Sequence, residues 1–237
     1  RAAGLGGAYI AISDDPSGIW HNPAGIMYSS ENYFSLSANT YNQSTEVYKN
    51  VLQGVDQVYD YTYTSGGLVP TFFGFTQNYG KYKWGFGIVV PNAEFIDQDD
   101  RFENLSLTQG KPNYFQRKFF RQNTSTCLGP AFAGEIFKNF TVGMSLFLVY
   151  HVDKYIDNQL ILYNRDSSNK ERYLFQETTS AKTNYSLLPK IGIQWMPVSN
   201  VSIGAVASKK FVSWSSKTTR RVSNTLTDSS TPADPTG

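Results

Sequence analysis

The chain has 237 residues, a net charge of +2, 15% aromatic residues and only 17% charged residues. A near-neutral balance with no basic stripe and no block of like charge gives no basis for nucleic-acid binding. Low charge with abundant Tyr and Phe is unlike a soluble globule and suits a β protein set in lipid, where aromatic side chains gather at both interfaces. No run approaches the ~18 consecutive apolar residues of a spanning helix, and the most apolar stretch, 146–152, is strand-sized. The one cysteine, Cys127, excludes an internal disulfide and reads as a small packed hydrophobe.

The first 28 residues are Gly- and Ala-rich and carry Asp14-Asp15-Pro16-Ser17 and Asn22-Pro23-Ala24-Gly25. Pro16 and Pro23 remove backbone donors and push the residues before them out of the α region. Gly18 and Gly25 permit left-handed turns. The segment therefore reads as a compact, irregular plug. The chain opens on Arg1 with no signal peptide, the mark of a processed product or a fragment. It closes on a polar, loop-like stretch from Ser223 to Gly237 with no closing strand.

Seven strands are expected after the plug, at 33–41, 68–79, 82–91, 114–137, 140–152, 184–196 and 200–213. Phe34, Leu36 and Ala38 alternate with Ser35, Ser37 and Asn39. In the third strand Tyr82, Trp84, Phe86, Ile88 and Val90 share one face, with Lys83, Gly85, Gly87 and Val89 opposite. Val142, Met144, Leu146 and Leu148 align likewise, as do Val201, Ile203, Ala205 and Ala207. This period of two fits strands with lipid outside and a lumen inside. The connections Asn78–Tyr82, Phe137–Phe140 and Met196–Asn200 are short, whereas Asn42–Gly67, Asn92–Asn113 and Asp153–Thr183 are long and polar. Strict alternation of short and long connections predicts a transmembrane barrel, with tight turns on the periplasmic side and long loops outside. A soluble Greek-key sandwich, whose strands also alternate, is the competing fold.

Gly4-Leu5-Gly6-Gly7-Ala8-Tyr9, Ser13-Asp14-Asp15-Pro16-Ser17 and Trp20-His21-Asn22-Pro23-Ala24-Gly25 resemble the hatch of the FadL/TodX outer-membrane transporters of long-chain fatty acids and other hydrophobic molecules. Lys83-Trp84-Gly85-Phe86-Gly87, Phe140-Thr141-Val142-Gly143-Met144 and Val201-Ser202-Ile203-Gly204-Ala205 resemble the family's strand starts, so the likeness spans most of the chain. The resemblance implies an all-β fold: a transmembrane antiparallel β-barrel, here partial, with an N-terminal hatch over 1–30 and the first half of the wall over 31–237. Seven strands are then part of a set of about fourteen, an even count as bacterial barrels require.

Within the hatch, Asn22, Pro23, Ala24 and Gly25 form the signature part, and Asp14 and Asp15 cap its turns. These residues either hold the plug fold or gate the lumen. Gly85 and Gly87 precede Val90-Pro91-Asn92. In the family a kink in the third strand makes a lateral opening, so the resemblance places such an opening at Gly85, Gly87, Pro91 and Asn92. The alternative is that the small residues give the hatch room. Val89, Phe147 and Val149 fall on the lumen side, where apolar residues favour a greasy ligand or pack the plug. The family has a basic residue two positions past a Tyr near the end of the fifth strand. Here that position is Val152, and Lys154 is the nearest cation for a carboxylate.

His21 and His151, the only histidines, lack the neighbours a metal site needs, and no Gly-x-Ser-x-Gly elbow supports a hydrolase. The acidic run 97–101 has neither the spacing nor the Gly of a calcium loop and reads as solvated loop. The expectation is a passive, cofactor-free, monomeric channel in the outer membrane of a diderm bacterium, in contact with its lipid. Its cargo is a long-chain fatty acid or another hydrophobic molecule. A barrel acting as a secretion or surface-assembly partner, and an outer-membrane lipid hydrolase using His151, are the alternatives.

Overall fold

The computed structural model describes residues 9–29, 32–37, 41–50, 60–68, 71–165, 171–198, 200–211 and 215–229. The N-terminal segment is less irregular than its prolines suggest. It holds a single α-turn, α1 (Gly18–His21), and a 3-10 helix (Pro23–Tyr28). Pro23 sits at the first helical position, where its missing N–H costs nothing and its fixed φ suits the turn. Residues 1–8, including the first part of the Gly-rich motif, and Ala38 lie outside the described residues.

Ten strands follow: β1 (Asn32–Leu36), β2 (Tyr41–Tyr48), β3 (Tyr61–Leu68), β4 (Thr71–Tyr79), β5 (Tyr82–Phe102), β6 (Pro112–Phe137), β7 (Phe140–Tyr163), β8 (Glu171–Val198), β9 (Val201–Ser208) and β10 (Ser215–Ser229). They form one antiparallel sheet, so the chain is all-β. β1 pairs β4 and β2 pairs β3, β3 and β4 both pair β5, and β9 and β10 both pair β8. The ten strands thus lie in seven rows that follow chain order, and each expected strand falls in one row. Among the described residues, the first and last rows are not paired to each other.

The tight turns lie where expected. Gly80 (φ 64) and Asn139 (φ 62) supply the left-handed residue in two of them. The long polar connections do not. Most of 42–67, 92–113 and 153–183 is strand, and the acidic run 97–101 belongs to β5 rather than to a solvated loop. Apolar alternation fades in these stretches, but Tyr, Phe and Thr persist, and cross-strand pairs hold the ladder. Phe95 meets Phe120 edge-on at 5.5 Å, Phe119 meets Tyr155 at 5.4 Å, and Phe102 stacks on Phe115 at 6.0 Å.

The two faces of the lower sheet differ sharply. Met144, Ile191 and Phe132 point outward and are 59%, 59% and 55% exposed, while Phe147 on the other face is 0% exposed. The outward band runs on β7 from Phe140 to Tyr150 and on β8 from Trp195 to Tyr185, its strand-paired counterparts. Phe140 stacks on Phe137 at 4.5 Å at the turn end, and Tyr150 meets Tyr185 at 5.1 Å at the far end. The inward face carries Lys83, Gly85, Gly87 and Val89 on β5, Ala131 and Ala133 on β6, and Thr141, Gly143 and Ser145 on β7. Against it packs the N-terminal segment, giving a core of Ile19, Ile26, Phe72, Val89, Cys127, Phe147 and Val149 with Trp20, Met27 and Leu188 beside it.

Candidate functional site

The candidate site is the seat of the N-terminal segment on the inward face. Asn22 is its central pin. Its side chain is fully buried. Nδ2 donates to the Ile10 carbonyl at 2.8 Å and to the Ile193 carbonyl of β8 at 3.1 Å, and Oδ1 accepts from the Ala24 N–H at 3.1 Å. One amide therefore caps the 3-10 helix, closes the segment on itself and ties it to the wall. Asp15 orders the preceding turn, its Oδ1 accepting the Ser17 N–H at 2.8 Å. Asp14 is exposed.

The wall is cut to fit this segment. A Cβ on Gly143 would lie 2.3 Å from the Pro23 carbonyl carbon and 2.4 Å from the Ala24 nitrogen, and one on Gly192 would lie 2.0 Å from Asn22 Oδ1. Gly143 and Gly192 are directly opposite each other on β7 and β8. Only two residues without side chains let the Asn22-Pro23-Ala24 backbone come this close. Gly25 is equally constrained from the segment side, since a Cβ there would meet Ser13 and Gln194.

Polar side chains from four rows complete the grip. Thr141 Oγ1 donates to the Ala24 carbonyl at 3.1 Å, and the Ser202 hydroxyl donates to the Ala11 carbonyl. Lys83 Nζ donates to the Ser29 carbonyl at 2.7 Å. Lys190 Nζ donates to the Trp20 carbonyl at 2.7 Å and lies 3.5 Å from the centre of the Trp20 ring, a cation–π contact. Trp20 in turn meets Phe147 edge-on at 5.2 Å. Phe147, Val89 and Val149 therefore all pack in the core beneath the segment.

Gly85 and Gly87 lie where β5 is paired continuously on both sides, and they face Ile19. The irregularity comes just beyond them. Val89 pairs with Cys127 but Asn92 pairs with Ser125, so one extra residue of β5 is accommodated at Pro91. Pro has no N–H to give a ladder, which is why it marks the bulge. On the other side, Thr71↔Val90 and Gly67↔Glu94 share one register. The bulge also flips the faces of β5, placing Asn92 and Ile96 on the inward side that Val89 occupied. Lys154 takes the face of Tyr150 and Val152, opposite Phe147 and Val149, because β7 keeps an unbroken register with β8. It is exposed and does not join the other candidate residues.

Above the segment, the inward face is polar and aromatic. Arg117 donates to both Asp157 oxygens at 2.9 Å, and Tyr155 donates to one of them at 3.1 Å. Burial acts to raise the Asp157 carboxyl, but the Arg117 fork outweighs it, so its pKa lies below the ordinary value. Tyr48, Tyr61, Tyr63, Arg117 and Phe119 line a hollow of about 240 Å³. His151 Nδ1 lies 2.9 Å from Ser125 Oγ. That pair sits mid-sheet, where β6 and β8 flank β7 and use its backbone donors.

Among the described residues no group of three or more His, Cys, Asp or Glu is placed to hold a metal, and no helix is long and apolar enough to cross a membrane. The reading of residue types alone passes over Lys190, Gly192, Gln194 and Ser202. A usable signal exists for Lys190: it is the lone charge between Ser186 and Trp195, on the same period-two face as Leu188 and Gly192. Compared with known proteins, the chain matches no family model, no curated protein and no solved structure.

Proposed function

We propose that the chain is the hatch and part of the wall of an outer-membrane β-barrel of the FadL/TodX type, which takes up long-chain fatty acids or other hydrophobic molecules passively. The observation that carries this reading is the exposed apolar band on the outer face. From Phe140 to Tyr150 it spans ten residue-to-residue steps, about 33 Å along the strand at ~3.3 Å each. At the ~45° tilt usual for spanning strands this is about 23 Å, the height of a bilayer's apolar core as barrels present it. Aromatic pairs bound it at both ends, and an apolar surface of this extent is foreign to soluble monomers.

Among the described residues the outer edges of the first and last rows are unpaired in that band, and unsatisfied edge groups in lipid cost several kcal/mol each. Further strands closing the barrel satisfy them. The N-terminal segment then lies inside the barrel as a hatch. It is held by carbonyl contacts to Thr141, Lys83, Lys190 and Ser202. Ligand enters from the outer end, displaces the hatch and leaves sideways at the Pro91 bulge, where the register of β5 against β6 shifts between Val89 and Asn92. Transfer of apolar area out of water, about 25 cal/mol per Å², drives the passage, with no covalent step.

The test is uptake of radiolabelled oleate by cells that lack their own transporter and express the protein, beside the double variant Asn22→Ala, Pro23→Ala. Uptake above background, altered in either direction by the double variant, is expected. Correct membrane insertion with no uptake of oleate or of an alkane probe sinks the reading.

A further inference from the structure

The outward face above the Tyr150–Tyr185 pair is not uniform in charge. On its β5–β6 side opposite charges answer one another. Asp97, Asp99 and Arg101 of β5 sit beside Lys118 of β6, Arg101 lies 3.1 Å from Asp99, and Gln116 donates to the same carboxylate at 2.8 Å. On the β7–β10 side the balance is broken. Between Glu177 and Asp228 the chain holds seven Lys or Arg and no Asp or Glu. Strand pairing fixes which of them face outward. Ser215 pairs with Tyr185, so Lys217 and Arg221 share its face, and Lys154 shares the face of Tyr150. They stand in three successive rows across β7, β8 and β10: Val152–Thr183–Lys217, Lys154–Ala181–Thr219 and Ile156–Thr179–Arg221. All three cations are exposed, and among the described residues none of them is ion-paired. Glu177, in the row beyond Arg221, is the first acid reached on this face of the three strands. Unmatched cations gathered on one face attract an anionic partner.

Their height selects that partner. The tight turns lie at the opposite end of the sheet, so in a spanning barrel these rows stand over the outer leaflet. Lys217, Lys154 and Arg221 lie two, four and six residues beyond the tyrosine row. At ~3.3 Å per residue and ~45° of tilt, that is about 5, 9 and 14 Å above the belt. The polar layer of one leaflet is about 5–7 Å thick, so Lys217 meets an ordinary headgroup phosphate while the other two stand higher. Strands ~4.8 Å apart also put Lys154 about 10 Å to the side of β10. One phosphate does not reach all three cations; a lipid with several anionic groups at different depths does. Thr179, Thr183 and Thr219 stand among the cations, each able to donate to phosphate or sugar oxygens.

We propose that Lys154, Lys217 and Arg221 form a docking surface for a multiply phosphorylated glycolipid of the outer leaflet. Its acyl chains lie along the apolar band and its phosphates meet the three cations, Arg221 offering a two-pronged grip. The inference rests on the reading of the sheet as a membrane wall and goes beyond it, by giving one side of that wall a preferred lipid neighbour.

The experiment is an anisotropy titration of fluorescently labelled lipopolysaccharide with the full protein in non-ionic detergent. The same lipid stripped of its phosphates, and labelled phosphatidylglycerol, are run beside it. A cation near an anionic lipid contributes about fivefold in affinity. The triple variant Lys154→Gln, Lys217→Gln, Arg221→Gln is therefore expected to bind lipopolysaccharide about a hundredfold more weakly. Stripping the phosphates should cost the native protein as much, and the two losses should not add. Phosphatidylglycerol is expected to bind at least tenfold more weakly than lipopolysaccharide. Lys118→Gln, on the balanced side of the same face, should leave binding unchanged. If the triple variant does not fold, the native protein's choice between the phosphorylated and stripped lipids decides the matter. Equal binding of those two lipids, equal binding of phosphatidylglycerol, or full affinity in the triple variant overturns the docking surface. If the protein nonetheless inserts into lipid vesicles, the membrane reading stands; failure to insert brings down both.

Discussion

The sheet below the Tyr150–Tyr185 pair and the sheet above it are built from the same strands but obey different rules. Below, β7 alternates between exposed apolar residues such as Met144 and Leu146 and buried ones such as Ser145 and Phe147. Above, both faces carry polar and aromatic residues, and the ladder is held by side-chain networks such as Arg117–Asp157–Tyr155. The backbone pairing is continuous through both: β7 and β8 keep one register from Phe140↔Trp195 to Tyr163↔Arg172. The difference teaches that the ladder does not need a particular solvent, whereas the side chains do. The lower half is specified by what lies on either side of it, the upper half by pairs across its own strands.

The sharpest way to break this comparison is to place a charge on the outer face. Ile191→Lys, in the middle of the apolar band, is expected to destabilise the protein folded in lipid vesicles by about 2–4 kcal/mol. Thr124→Lys, on the same face above Tyr150, is expected to change it by less than about 0.5 kcal/mol. Urea titrations of both variants give the two numbers, and equal effects erase the distinction between the halves.

The inner face of the lower half is tested next. Gly192→Ala places a methyl group where Asn22 Oδ1 lies, and overpacking of this kind costs about 1–3 kcal/mol. Limited proteolysis within residues 9–29 is expected to rise accordingly. In an Asn22→Ala background the same glycine change should cost markedly less, because the clashing atom is gone. Additive effects would mean that Gly192 is small for another reason. Asn22→Ala alone leaves the Ile10 and Ile193 carbonyls without this donor, at about 1–3 kcal/mol, read by hydrogen exchange of the segment's amides.

The smallest effect is expected in the upper half. Asp157 has a depressed pKa in the folded protein. Its contribution to stability is therefore present above the unfolded carboxylate value, about 3.9, and is lost as pH falls through the lower folded value. Acid titration followed by near-ultraviolet circular dichroism of the tyrosines should show a step in that window. Asp157→Asn should remove the step and leave the lower half untouched.

Much of the wall was legible in residue order. The period-two alternation in 82–89, 140–149 and 201–207 names the inward and outward residues correctly, because a pleated strand allows no other arrangement. The tight turns at 78–82 and 137–140 were legible from their shortness between alternating runs. The upper sheet was not. Stretches such as 92–102 and 153–163 lack apolar alternation, and their pairing depends on cross-strand partners that no local pattern marks, such as Phe120 for Phe95. In the site, Asn22, Pro23, Ala24 and Gly25 stand out by type and spacing. Lys190 shows only as a lone charge in an otherwise uncharged stretch, and Gly192 and Ser202 do not stand out at all, since nothing near them in the chain reveals that a segment some 180 residues earlier lies against them.

Residue order by itself determined that this chain makes strands with one greasy face, joined by tight turns at one end, and an N-terminal stretch that cannot be a strand. Those properties are local: side-chain period, proline's fixed φ and missing N–H, and the left-handed backbone that Gly80 and Asn139 adopt. Only the tertiary structure decided that the short stretch sits on the inward face, that paired glycines on β7 and β8 receive it, and that two lysines hold its carbonyls. It also decided that the Pro91 bulge exchanges the faces of β5. These depend on close approach between atoms distant in the chain, and close approach is fixed by packing and by register rather than by any residue's own preference.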